Sequence, residues 1–195
     1  MNLKKILSSV LAATMVLSTM SFSVLANNTV STWDGTAVDR SWYDADPTAT
    51  SYTITTAAQF AGLAEICNTF PSNTSAYPFK GQTIYLDVDI DLDGHKFAPI
   101  GDASADKRYF YGSFDGQGHT VSNIYIESSS AKFTGLFGKT GTSDYSQSFK
   151  DVTLDNVTIA ASGTQQVGGL IGRADKAVES GVNVTGEINI TGHAL

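Results

Sequence analysis

Two short glycine words constrain this chain more than any other feature. GLFG at 135–138 and GLIG at 169–172 stand 34 positions apart, and each follows a strand-like run. HTVSNIYI, 119–126, comes before the first word, and KDVTLDNVTI, 150–159, before the second. Asn123 and Asn156 recur at nearly the same spacing, 33. A repeat of this length, built from strands and glycines, is the pattern of a solenoid. One unit cannot bury its apolar face alone, so each must stack on its neighbours.

The strand runs share a local irregularity. Apolar parity breaks between Val121 and Ile124 in the first, and in the same way between Leu154 and Val157 in the second. Two residues ending in asparagine fill each break, Ser122-Asn123 and Asp155-Asn156. A parity break lets the chain turn a corner while its next strand still faces the same interior. Asparagine suits such corners because it tolerates left-handed backbone angles, and stacked asparagines can hydrogen-bond to one another. The glycine words then supply a third short side, with Leu136, Phe137, Leu170 and Ile171 as its apolar content. The expected object is a coil of roughly triangular section. VNVTGEINI, 182–190, reads as a further rung with a wider break at Thr185-Gly186-Glu187.

The region before the repeats has a different character. Residues 27–52 are polar and irregular, with Trp33, Trp42 and Tyr43 scattered through them. In TAAQFAGLAEICN, 56–68, Phe60, Leu63, Ala64 and Cys67 follow the i, i+3, i+4, i+7 spacing of one helical face. Thr56 with Gln59 fits a capping box, and Asn68 suits the helix end. This amphipathic helix, with Trp33 and Trp42, is expected to close the N-terminal end of the solenoid, because repeat arrays need polar-faced caps. Cys67 reads as a small buried hydrophobe, since no basic neighbour in sequence lowers its pKa. After a loop at 69–81, the run TIYLDVDIDL, 83–92, alternates strictly, with Ile84, Leu86, Val88, Ile90 and Leu92 apolar. It reads as one strand with one buried face.

Residues 1–26 read as a secretory signal peptide: Lys4 and Lys5, then an uncharged apolar run, then small residues ending at Ala26. Without Lys4 and Lys5 the formal charge moves from −7 to −9, which argues against a nucleic-acid partner. No later segment is apolar enough to span a membrane. A lone cysteine excludes an internal disulfide. The organisation expected is a signal peptide at 1–26, a cap segment at 27–80 with one short helix, and β-helix repeats at 81–195. The chain stops at Leu195 directly after a rung, so the repeats are expected to be incomplete at the C-terminus. Val184 and Ile188 would then be presented at an open edge suited to end-to-end self-association.

FYGSFDGQGHTVSNIYI at 110–126, GLFG, KDVTLDNVTI and GGLIG together resemble the GLUG-repeat solenoids of bacterial surface proteins. WDGT at 33–36, YTITTAAQFAGLAEICN at 52–68, GQTIYLDVDIDL at 81–92 and FAPIG at 97–101 follow the order of the N-terminal segment in those proteins. The resemblance covers nearly the whole exported chain. It implies a right-handed parallel β-helix, all-β apart from the capping helix. It also implies a secreted or cell-surface bacterial protein, in many cases one presumed to act in adhesion. The same repeats precede the protease domain of immunoglobulin-A-specific metalloproteases. The resemblance assigns no catalytic residues to the repeat, and no cofactor.

Three constellations carry potential chemistry. Asp87, Asp89, Asp91 and Asp93 project side by side along one strand face and are calcium candidates; the plainer reading is a solvated face that discourages edge pairing. Asp115 and His119 in GSFDGQGH would make an acid–base pair, although Gly112, Gly116 and Gly118 mark a tight turn. Tyr85, Tyr125, Tyr109 and Tyr111 are outward aromatics that could stack on sugar rings, or simply pack over a sheet surface. His95 and His193 are isolated, and no HExxH pattern is present, so zinc peptidase chemistry is excluded for this chain. Asn-x-Thr triplets at Asn156, Asn183 and Asn189 are ordinary strand composition.

The expected function is a non-catalytic exported module whose partners are host or cell-wall glycans or surface proteins. The rival is a polysaccharide-lyase type of enzyme on the same class of fold. Such enzymes need a Lys or Arg base projecting from the rungs, and here the nearest basic pair, Lys107-Arg108, lies in a loop before Phe110.

Overall fold

Runs that alternate in sequence lie in register in space. The computed structural model describes residues 29–105, 108–129, 132–141, 146–162 and 166–191. The signal peptide expected at 1–26, as well as Lys107 and His193, lies outside them. In chain order the elements are β1 (Val30–Thr32), α1 (Ser41–Asp44), β2 (Ser51–Ile54), α2 (Ala57–Asn68), β3 (Thr83–Leu86), β4 (Asp89–Asp91) and β5 (Ser113–Asp115). They continue with β6 (Thr120–Ser122), β7 (Tyr125–Ser128), β8 (Phe133–Thr134), β9 (Phe137–Thr140), β10 (Gln147–Ser162), β11 (Gln166–Val167), β12 (Ile171–Ala174) and β13 (Ala177–Thr191).

The strand pairs are parallel and form a β-solenoid of about four turns. One face stacks β2, β3, β5 and the start of β10. The next stacks β1, β4, β6 and the middle of β10. Past the second corner, β7 runs beside the end of β10, and β13 follows β10 along nearly its whole length. A third side pairs β8 with β11 and β9 with β12.

The corners are where the sequence places them, and there is one more set. Asn123 and Asn156 adopt φ of 52° and 53°, with Val121, Ile124, Leu154 and Val157 all buried around them. β10 also turns at Asp151, φ 52°, between buried Phe149 and Val152. The run at 83–92 is correspondingly two strands rather than the one expected. It bends at Asp87-Val88 because β3 must follow β2 and β5 on one face, while β4 follows β1 and β6 on the next. Its five apolar residues are nonetheless all buried.

The core is aromatic. Phe137 packs against Phe110, Phe114 and Phe149 at ring separations of 5.0, 5.4 and 4.9 Å, contacts worth roughly 0.5–1.5 kcal/mol each beyond area burial. Leu136 and Leu170 are buried with them, whereas Ile171, expected in the core, is only half-buried. The glycines of the two words have another role. None has a positive φ; they permit close approach of backbone between coils. A Cβ on Gly135 would lie 2.7 Å from both Gly168 O and Gly172 N, and one on Gly172 would lie 2.5 Å from Thr134 N.

At the N-terminal end, α2 is packed against the core through Phe60, whose ring stacks on Phe97 at 5.6 Å. The Thr56 side chain accepts a hydrogen bond from Gln59 N, and Gln59 reaches back to Thr55 N rather than to Thr56. The helix was expected to keep one polar face. Instead Ala61, Gly62 and Ile66 are buried as well, because residues 37–44 lie over it: Asp39 N donates to Ala58 O, and a Cβ on Gly62 would collide with the Asp39 carbonyl. Trp33 meets Phe97 edge-on, and Trp42 packs on Tyr52 and Phe79. Asn68 ties the helix end to the third side, donating to Pro99 O and accepting from Asp102 N. Burial pushes the Cys67 thiol well above its ordinary pKa. At the opposite end, Val178, Val184 and Ile188 on β13 are 63%, 42% and 44% exposed.

Candidate functional site

The acidic ladder is a set of links between coils. Asp89 accepts from Thr120 N at 3.0 Å and meets His119 Nδ1 at the same distance. Asp91 accepts from Asn123 Nδ2 at 2.9 Å and from Asp93 N at 2.8 Å. Asp87 and Asp93 are exposed. The corner between β3 and β4 also turns these carboxylates onto different faces. Among the described residues, no three His, Cys, Asp or Glu side chains are grouped so as to hold a metal ion.

The pairing of Asp115 with His119 does not form. Residues 116–119 span a corner and deliver the two side chains to different faces. His119 goes to Asp89, while Asp115 meets Lys150 Nζ at 2.9 Å on the adjacent coil. The hydrogen bond and the charge of Asp115 hold the Lys150 pKa above its ordinary value. Sequence reading overlooked Lys150, a lysine on a rung, because only the register of β5 with β10 brings it to Asp115. Arg108 stays in its loop, with Nη1 donating to Ser104 Oγ.

The four tyrosines separate. Tyr111 is not an outward ring: it is 2% exposed and packs beside Tyr77 at 4.6 Å. Tyr109 is half-buried, and Lys139 Nζ lies 4.0 Å from its ring centre. Lys139 in turn pairs with Asp175. Tyr85 is half-buried opposite Asp115 in the β3–β5 register.

Tyr125 is different, for it fronts a groove. The groove measures about 430 Å³ and is lined by Asp93, Gly94, Asn123, Ile124, Tyr125, Asn156 and Thr158. One wall is the corner ladder. Asn156 Nδ2 donates to Asn123 Oδ1 at 2.7 Å, and Asn123 Nδ2 donates to Asp91 Oδ1. The ladder continues into the next coil, where Thr185 Oγ1 donates to Asp155 and accepts from Asn156 N. The other wall is the first outward row after the corner, where Tyr125 and Thr158 are register partners. The parity break points to the asparagines; Asp93, Gly94 and Thr158 join them only once coils stack.

A 101-residue part of the chain is 38% identical to a protein named Halomucin, from Haloquadratum walsbyi. The match covers 52% of this chain and 1% of that protein, so the chain corresponds to a very small part of its relative. No protein-family profile matches the chain, and no solved structure does. Among the described residues, no helix is long and apolar enough to cross a membrane.

Proposed function

We propose that this chain is a non-catalytic, exported solenoid module displayed at a cell surface, where its side faces serve adhesion or ligand display. One observation carries the reading. Among the described residues, His119 with Asp89, Lys150 with Asp115 and Lys96 with Glu127 pair across neighbouring coils, and where three charges meet, Asp175 is tied up in ion pairs with Lys139 and Arg173. A general base must be free to take a proton, and the hydrogen bond and charge of Asp115 raise the Lys150 pKa above its ordinary value. The name of the partly similar protein, Halomucin, agrees with an extracellular role. The order of motifs from WDGT to GGLIG supports counting the chain among GLUG-repeat solenoids.

The rival reading, a polysaccharide lyase-like enzyme or its substrate-binding part, rests on the fold class. Incubating the chain with acidic and neutral polysaccharides, with and without calcium, distinguishes the two. The surface-module reading expects intact polymer throughout. New unsaturated uronide ends, seen as ultraviolet absorbance, would overturn it. Protease treatment of intact producing cells checks the location: an exported surface module is digested, and a protected protein would refute display.

A further inference from the structure

From the groove beside the asparagine corner we infer a binding site for a neutral, extended oligosaccharide lying along the solenoid axis. The inference deepens the surface-module reading and rests on it. Three features of the groove select this ligand chemistry.

The first is the mixture of groups. Tyr125 offers a half-buried ring whose hydroxyl makes no hydrogen bond among the described residues, and Thr158 stands beside it in register. Across the groove, Asn156 is exposed; its amide nitrogen is engaged with Asn123, and no donor among the described residues reaches its carbonyl oxygen. A flat apolar ring surface facing fixed amide and hydroxyl groups matches a pyranose, which carries apolar C–H faces and equatorial hydroxyls.

The second feature is spacing. Corner residues of successive coils repeat at the strand separation of about 4.8 Å, close to the length of one sugar unit in an extended chain. The Asn156 carbonyl and the second N–H of the Asn123 amide, whose first N–H goes to Asp91, therefore stand in step with consecutive sugars. The backbone leaves room for them, since a Cβ built on Gly94 would meet nothing within 4 Å.

The third feature is charge. Asp93 is exposed at one end of the groove, and the chain as a whole carries a formal charge of −7. A polyanionic glycan would be repelled, which leaves a neutral one.

The test uses the full exported chain in titration calorimetry with cellohexaose, N-acetylchitohexaose and xylohexaose as probes, and oligogalacturonate as the anionic counter-probe. At least one neutral probe is expected to bind, and oligogalacturonate is not. Tyr125→Ala removes the platform and Thr158→Arg fills the groove; each should weaken binding at least tenfold. Tyr85→Ala, on another face, should leave binding unchanged. Melting curves confirm that each variant is folded. Absence of binding by all three neutral probes overturns the groove. So does binding that survives both groove substitutions, although the surface-module reading then stands. Cleavage of a bound probe refutes the module reading instead.

Discussion

Replacing Asn123 with alanine tests the corner ladder, because two separable terms meet at this residue. Its backbone sits at φ 52°, a conformation that costs a residue with a Cβ roughly 1–2 kcal/mol. Its amide also makes two side-chain hydrogen bonds, to Asp91 at 2.9 Å and from Asn156 at 2.7 Å. Each contributes about 0.5–1.5 kcal/mol, with the lower half of that range fitting a half-exposed site. Asparagine already carries most of that backbone cost, so Asn123→Ala loses the two bonds and asparagine's better tolerance of the left-handed region, and should destabilise the fold by about 1–3 kcal/mol. For a domain of this size that is a fall in melting temperature on the order of 2–12 °C. Asn123→Gly loses the same two bonds but accepts the positive φ, offset by glycine's greater freedom when unfolded, and should be about 0.5–1 kcal/mol less damaging than alanine. A double-mutant cycle with Asn156→Ala should return a coupling of roughly 0.5–1.5 kcal/mol, since the two amides share a bond. Thermal and urea melts followed by circular dichroism supply the numbers. An alanine variant within about 0.5 kcal/mol of the parent, which is the scale of a neutral surface change, would refute the ladder as a stabilising device. Glycine worse than alanine would refute the backbone part alone.

Phe137→Ala, at the meeting point of four phenylalanine rings, should cost about 3–5 kcal/mol in urea unfolding, and Ile171→Ala, half-buried in the next coil, distinctly less; equal costs would mean the third side is packed otherwise. Asp175 bears on acid stability: burial pushes its pKa up, but hydrogen bonds and charge from Arg173 and Lys139 outweigh it, leaving the carboxyl below its usual 3.8. A lowered folded pKa gives stability that is complete above the unfolded value and lost as pH falls through the folded one, so Asp175→Asn should flatten the acid limb of a melting-temperature profile below about pH 4 and leave its slope at higher pH unchanged. Cys67 should resist a thiol reagent in the native chain at neutral pH and react fully in denaturant; rapid native labelling would contradict its burial. β13 pairs with β10 and exposes Val178, Val184 and Ile188, so the chain should associate reversibly with concentration in light scattering. Val184→Lys with Ile188→Lys should leave it monomeric, and a parent already monomeric at all concentrations would rule out that contact.

Periodicity carries the fold in this chain. The alternation from Ile84 to Leu92 and the parity breaks at Asn123 and Asn156 are local consequences of one buried face, so residue order alone marks those core side chains and the two asparagine corners, while the bend at Asp87-Val88, which leaves the alternation unbroken, is imposed only by the stacking of β3 and β4 on different faces. The helix start at Thr56 is legible for the same reason, since a capping side chain acts within one turn. What a given outward residue touches is not local. Two residues on the solvent side of different coils become neighbours only through the register between strands some 30 positions apart, and that register is set by the whole stack. Stacking sends His119 to Asp89 instead of Asp115, gives Asp115 to Lys150, and buries Tyr111 while leaving Tyr125 at a groove. It also lays residues 37–44 over a helix that looks one-sided in sequence. The glycine words show both levels at once: their spacing reveals the repeat, but only the close passage of Gly135 by Gly168 and Gly172 explains why no larger residue fits there.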